Sequence, residues 1–79
     1  MSYHDYYKKL SALIELIEKQ NTGDANALAE KMQVSRRTVF RYLEELRDYG
    51  AEITFSKPHN SYVLHNEFCF FEHFIKKVL

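Results

Sequence analysis

The segment LAEKMQVSRRTVFRYLEELRDYGAEI, residues 28–53, holds two amphipathic stretches separated by a break of two residues. The first, from Ala25 to about Met32, turns Leu28, Ala29 and Met32 to one side at helical spacing. Ala29 is small, so another helix can cross closely there. Gln33-Val34 is the break, and Ser35 follows as an N-cap whose side-chain oxygen can satisfy a free backbone donor. The second stretch runs from Arg36 to about Tyr49 with Val39, Leu43 and Leu46 as its buried stripe, and Gly50 stops it. At about 100° per residue, Arg37, Thr38, Arg41, Glu44 and Glu45 fall opposite that stripe. The basic side chains occupy the first two turns and the acidic pair follows, so only the N-terminal half suits a polyanion.

Upstream, Tyr3, Tyr6, Tyr7, Leu10, Leu13, Ile14 and Ile17 recur at steps of three and four, which predicts a first helix from Tyr3 to Gln20. Lys8, Lys9, Glu15, Glu18 and Lys19 fall on its other face. Asn21-Thr22-Gly23 is expected to end it, with Gly23 in the left-handed conformation, and Asp24 to cap the second helix. Downstream the period changes. Ala51-Glu52-Ile53-Thr54-Phe55 alternates, Lys57 to Ser61 makes a turn, and Tyr62-Val63-Leu64 resumes an extended stretch. A two-stranded hairpin is marginal alone, so it must lie on the helices. Three helices and a hairpin predict a mainly α fold of the winged helix-turn-helix type.

The tail, Glu67 to Leu79, fits two patterns. Phe68, Phe71, Ile75 and Val78 make a helical stripe, whereas Phe68, Phe70 and Phe74 fit one face of a strand; we favour a fourth helix. Its apolar surface exceeds what a small three-helix core obviously covers, which points to a homodimer formed through the C-terminal aromatic segment. The alternative is that the tail folds back beside the tyrosines of the first helix. We expect one domain over 1–79, with a core of about 3–65 and residues 66–79 as an interaction or dimerisation tail.

Eleven basic and eleven acidic side chains give a net charge of zero, so any nucleic-acid reading must rest on local placement. Hydrophobic residues make up 46% and charged residues 28%, a composition that folds rather than stays disordered. The single cysteine, Cys69, excludes an internal disulfide framework and fits a reducing compartment. No run is long enough to span a membrane and the N-terminus lacks the apolar stretch of a signal peptide, so a cytoplasmic location is expected.

Arginine at the start of an exposed helix can fork onto guanine or clamp a phosphate, and the capped N-terminus offers backbone N–H groups to an anion. Lys57 and His59 at the hairpin tip are placed to reach phosphates, or else form a solvated turn. Phe40, at the edge of the exposed face, packs either on a thymine methyl or sugar or against the rest of the fold. His65, Cys69 and His73 are spaced by four, but a fourth zinc ligand is not evident, so no metal and no cofactor is expected. No nucleophile stands with an orienting base and oxyanion donors, and no phosphate-binding glycine loop exists; an enzyme is not expected.

Residues 28–53, with Leu28-Ala29, Val34-Ser35-Arg36-Arg37-Thr38-Val39, Leu43, Leu46 and Gly50, resemble the winged helix-turn-helix family found at the N-terminus of biotin-ligase repressors, DeoR-type repressors and WYL-domain regulators. Including the preceding helix and the NSYVL end of the hairpin, the similarity spans about residues 8–64. It implies sequence-specific binding of double-stranded DNA by a transcriptional regulator, with Ser35, Arg36, Arg37, Thr38 and Arg41 in the contact region and helix 36–49 in the major groove. The alternative is a winged-helix module that binds protein and not DNA. The sequence departs from the family pattern at three places: Gln33 where glycine is frequent, Tyr42 for a frequent acidic residue, and Asn60-Ser61 for a glycine-rich wing tip. A positive φ at Gln33 would cost about 1 kcal/mol relative to glycine. No ligase, sugar-phosphate-sensing or WYL domain is seen after the match, so those effector activities are not expected to carry over.

Overall fold

The computed structural model describes residues 3–68. Helix α1 spans Tyr3–Glu18, α2 Ala25–Met32 and α3 Arg36–Asp48; strands β1, Ile53–Ser56, and β2, Ser61–Leu64, form an antiparallel hairpin. Three helices and a two-stranded wing are the architecture expected from the sequence. The reading of Glu67 to Leu79 as a fourth helix falls almost wholly outside the described residues. So do Cys69 and His73, and every aromatic of the tail except Phe68.

Each helix presents a stripe to one core. Leu10, Leu13, Ile14 and Ile17 of α1 meet Leu28, Ala29 and Met32 of α2 and Val39, Tyr42, Leu43 and Leu46 of α3. Ala51, Ile53, Tyr62 and Phe68 close the cluster from the wing side. Phe68 is thus packed into the same cluster as the helices and the wing. Tyr42 is also buried, at 1% exposure, and widens the α3 stripe beyond Val39, Leu43 and Leu46.

All three helices end in the same way. An N–H two or three residues beyond the helix bonds back five residues, from Asn21 to the Leu16 carbonyl, Val34 to Ala29 and Ala51 to Leu46. The residue before it takes a positive φ: Gln20 at 54°, Gln33 at 57° and Gly50 at 115°. These are Schellman closures, which satisfy carbonyls that a helix end leaves free. The first corrects an expectation: Gln20, not Gly23, closes α1. Gly23 is still left-handed, at φ 71°, but its reason is space, because a Cβ there would lie 2.7 Å from the Cβ of Ala27. Asp24 and Ser35 cap as expected, accepting from the N–H of Ala27 and Thr38.

The wing is fastened at three places. Thr22 and Ser61 are both fully buried, and their backbones and hydroxyls interlock. Thr22 N–H donates to Ser61 Oγ (3.1 Å), Tyr62 N–H donates to Thr22 Oγ1 (2.8 Å), and the two hydroxyl oxygens lie 3.0 Å apart. Arg47 donates from Nε and Nη2 to the Ile53 carbonyl, tying the last turn of α3 to β1. Asn66 accepts from Glu52 N–H and donates to the Gly50 carbonyl, which holds the chain leaving β2 against the one entering β1. In β1 the expected alternation fails at Phe55: it is 37% exposed and packs edge-on against its cross-strand partner Tyr62 at 5.1 Å.

Replacing Thr22 by Val keeps the shape but removes the acceptor for the buried Tyr62 N–H, and should cost about 1–3 kcal/mol in denaturant unfolding. Gln33→Gly relieves a left-handed glutamine whose side chain is exposed. Strain of about 1–2 kcal/mol, less the entropy that glycine adds to the unfolded chain, leaves an expected gain of about 0.5–1 kcal/mol in the same measurement.

Candidate nucleic-acid interface

The exposed side of α3 lies between two flanks, each fastened to a different part of the molecule. On one, Tyr42, Glu45 and Tyr49 follow at three- and four-residue steps and face α1. Tyr6 donates its hydroxyl proton to Glu45 Oε2 at 2.5 Å, and its ring meets Tyr42 edge-on at 6.4 Å. Burial, reinforced by the hydrogen bond to Glu45 and its negative charge, holds the Tyr6 phenol well above its ordinary range. Glu45 therefore does not stand on the outward face with Glu44, as the helical wheel suggested. Its carboxylate is half-buried and occupied by α1. Glu44 remains exposed, but it pairs with Arg47 at 3.3 Å. The acidity expected on this side is largely engaged within the fold.

The other flank faces the wing and carries Arg36, Phe40 and Arg47. Arg36 stacks on the Phe40 ring, its guanidinium carbon 5.2 Å from the ring centre, and Phe40 stays 42% exposed. Phe40 lies outside the core cluster and keeps part of its apolar surface open. Arg36 and Arg47 also lie close enough to Tyr62 to favour its phenolate, partly offsetting the upward push of burial on that group.

Between the flanks Arg37 and Arg41 are exposed, and Arg41 rests over the Tyr42 ring at 5.6 Å. Among the described residues no carboxylate is paired with Arg36, Arg37 or Arg41. Ser35 and Thr38 stand at the helix start, their hydroxyl oxygens 2.9 Å apart and Ser35 accepting from Thr38 N–H. At the wing tip Lys57 is exposed, while His59 is held to Ser56 Oγ through Nδ1 at 2.7 Å and the loop closes with Asn60 at φ 49°. The structure thus gathers Ser35, Arg36, Arg37, Thr38, Phe40 and Arg41 on the first two turns of α3, and places Lys57 and His59 apart from them, on the wing.

Two supporting features were missed in the sequence. Arg47 shares the helix with Arg36, Arg37 and Arg41, yet it is engaged by the Ile53 carbonyl of the wing and by Glu44. The Tyr6–Glu45 bond joins positions 39 residues apart, which helical spacing cannot reveal. His65, one of the three residues considered for zinc, has its Nε2 2.6 Å from Thr54 Oγ1, and no cluster of three metal-ligating side chains occurs among the described residues. No helix among them is long and apolar enough to cross a membrane.

Three helices, a wing and a capped third helix with free arginines on its first turns define a winged helix-turn-helix domain. Residues 8–59 match the family model described as an HTH domain, and the chain belongs to this family, a helix-turn-helix DNA-binding family found in biotin-ligase repressors and WYL regulators. The match covers more than half of the chain, and the family is of a non-enzymatic kind. Searches of curated proteins and of solved structures gave no match.

Because the unfolded Tyr6 phenol ionises near 10 and the folded one higher, its contribution to stability is intact below pH 10 and declines as pH rises beyond it. Tyr6→Phe should flatten the alkaline arm of a stability-versus-pH curve, leaving the remainder that Tyr62 contributes.

Proposed function

We propose that this protein binds double-stranded DNA sequence-specifically as a small transcriptional regulator, with α3 in the major groove. The observation that carries this reading is the set of unpaired arginines 36, 37 and 41 on the exposed first turns of α3, behind a capped helix start. Recognition helices direct their N-terminal residues at base edges, and arginine forks suit guanine. Arg37 and Arg41, nearest the middle of the exposed face, are assigned to bases. Ser35, Thr38 and the first backbone N–H groups are assigned to a phosphate, where the helix dipole favours negative charge. Lys57 and His59 of the wing are assigned to the neighbouring backbone.

A homodimer through the C-terminal aromatic segment, with 66–79 as its dimerisation tail, would set two α3 helices on half-sites about one helical turn apart. A single unit over 1–79 acting in the cytoplasm, needing no metal or cofactor, completes the reading. One observation favours a second reading, a protein-interaction module: the net charge of zero.

Selection from a random duplex pool at physiological salt, followed by salt titration on the recovered duplex, separates the two. DNA binding predicts a steep fall in affinity with salt, about 0.9 in log–log slope for each phosphate contacted. Arg37→Ala and Arg41→Ala should each cost about 1–3 kcal/mol and relax preference at one base position. A chain that binds no duplex at about 50 mM salt, where phosphate contacts are strong, yet captures a protein partner would overturn the proposal.

A further inference from the structure

The wing-side flank of α3 holds a pair whose chemistry is narrower than general DNA binding. Arg36 and Phe40 are one turn apart, on the part of the helix that would meet base edges. The cation stacks on the ring at 5.2 Å, and Phe40 as a residue is 42% exposed. Stacking fixes the plane of a long side chain that would otherwise lose much rotamer freedom on binding, and leaves the N–H edge of the fork unused. No hydrogen bond or ion pair engages Arg36 elsewhere among the described residues. The result is a flat apolar surface beside a preset pair of donors.

We propose that Arg36 and Phe40 act as one reading unit for a thymine followed by a guanine on the same strand. Arg36 donates its two N–H groups to guanine O6 and N7, and the Phe40 ring covers the C5 methyl of the preceding thymine. The inference rests on α3 being the DNA-recognition helix. Among the four bases only guanine offers two adjacent major-groove acceptors to a fork, and only thymine offers a methyl there. Successive bases on one strand are about 3.4 Å apart along the axis, a step that a guanidinium stacked on a ring can span. A phosphate-binding arginine would have no use for the ring, and one exposed ring under one cation is far smaller than the patches that mark protein-binding surfaces.

The test uses the full chain and the duplex recovered from the random pool, with each thymine replaced in turn by deoxyuridine, which lacks only the methyl. The expected result is one thymine, 5′ to a guanine, whose replacement weakens binding about fourfold, the worth of one buried methyl group. Phe40→Ala should make the thymine and deoxyuridine duplexes bind equally, and Arg36→Ala, which removes every donor, should erase the preference for guanine at the next position. Phe40 lies outside the core cluster, so its truncation leaves the fold in place, which helical circular dichroism checks. If the duplex binds and no thymine responds, or the response persists in Phe40→Ala, the pair does not read this step and the DNA reading of α3 stands. If no duplex is recovered, both fall.

Discussion

The interlock between Thr22 and Ser61 decides where the wing can be. A hairpin of two four-residue strands has little stability of its own, and it gains a fixed place only by docking. Here the docking is polar and buried. The loop between α1 and α2 and the first residues of β2 each supply a backbone N–H and a hydroxyl, and each N–H is satisfied by the other segment's side chain. Buried donors left unpaired are costly, so a wing shifted by one residue would lose these bonds together and would also turn its inward side chains outward. Arg47 and Asn66 fasten the other end of the same hairpin. With the wing located, Ile53 and Tyr62 can complete the core that supports α3.

Most of this architecture could be read from the chain because it rests on local regularities. The stripes of α1, α2 and α3, the caps at Asp24 and Ser35 and the change of period after Gly50 are each set by residues within a few positions of one another. The misreadings have a common cause. Glu45 looked solvent-facing because a helical wheel knows only its own helix, and the partner that claims it comes from α1. Glycine is the usual left-handed residue at a helix end, which makes Gly23 look like a terminator, whereas Gln20 closes α1, Gln33 closes α2, and the glycine is required by the nearness of Ala27. Phe55 fits an alternating strand, but Tyr62 opposite it takes the place in the core and Phe55 is left partly exposed against that ring.

The candidate interface was legible to a similar depth. The arginines and their confinement to the first turns of α3 follow from spacing alone. What spacing could not give is how they are held: Arg36 on Phe40, Arg41 over Tyr42, and Arg47 withdrawn to the wing. These distinctions depend on side-chain direction and on neighbours distant in sequence. They separate cations that remain available from one that has become a structural tie.

The turning of Glu45 toward α1 has a consequence for the surrounding field as well as for contact. Because that carboxylate is withdrawn and Glu44 is paired with Arg47, the field around Arg36, Arg37 and Arg41 stays locally positive although the whole chain carries no net charge. Such a patch acts at short range, within about a Debye length, with no attraction from the rest of the molecule behind it. In front of a polyanion it holds where the local fit is close, and where the fit is poor little keeps it in place.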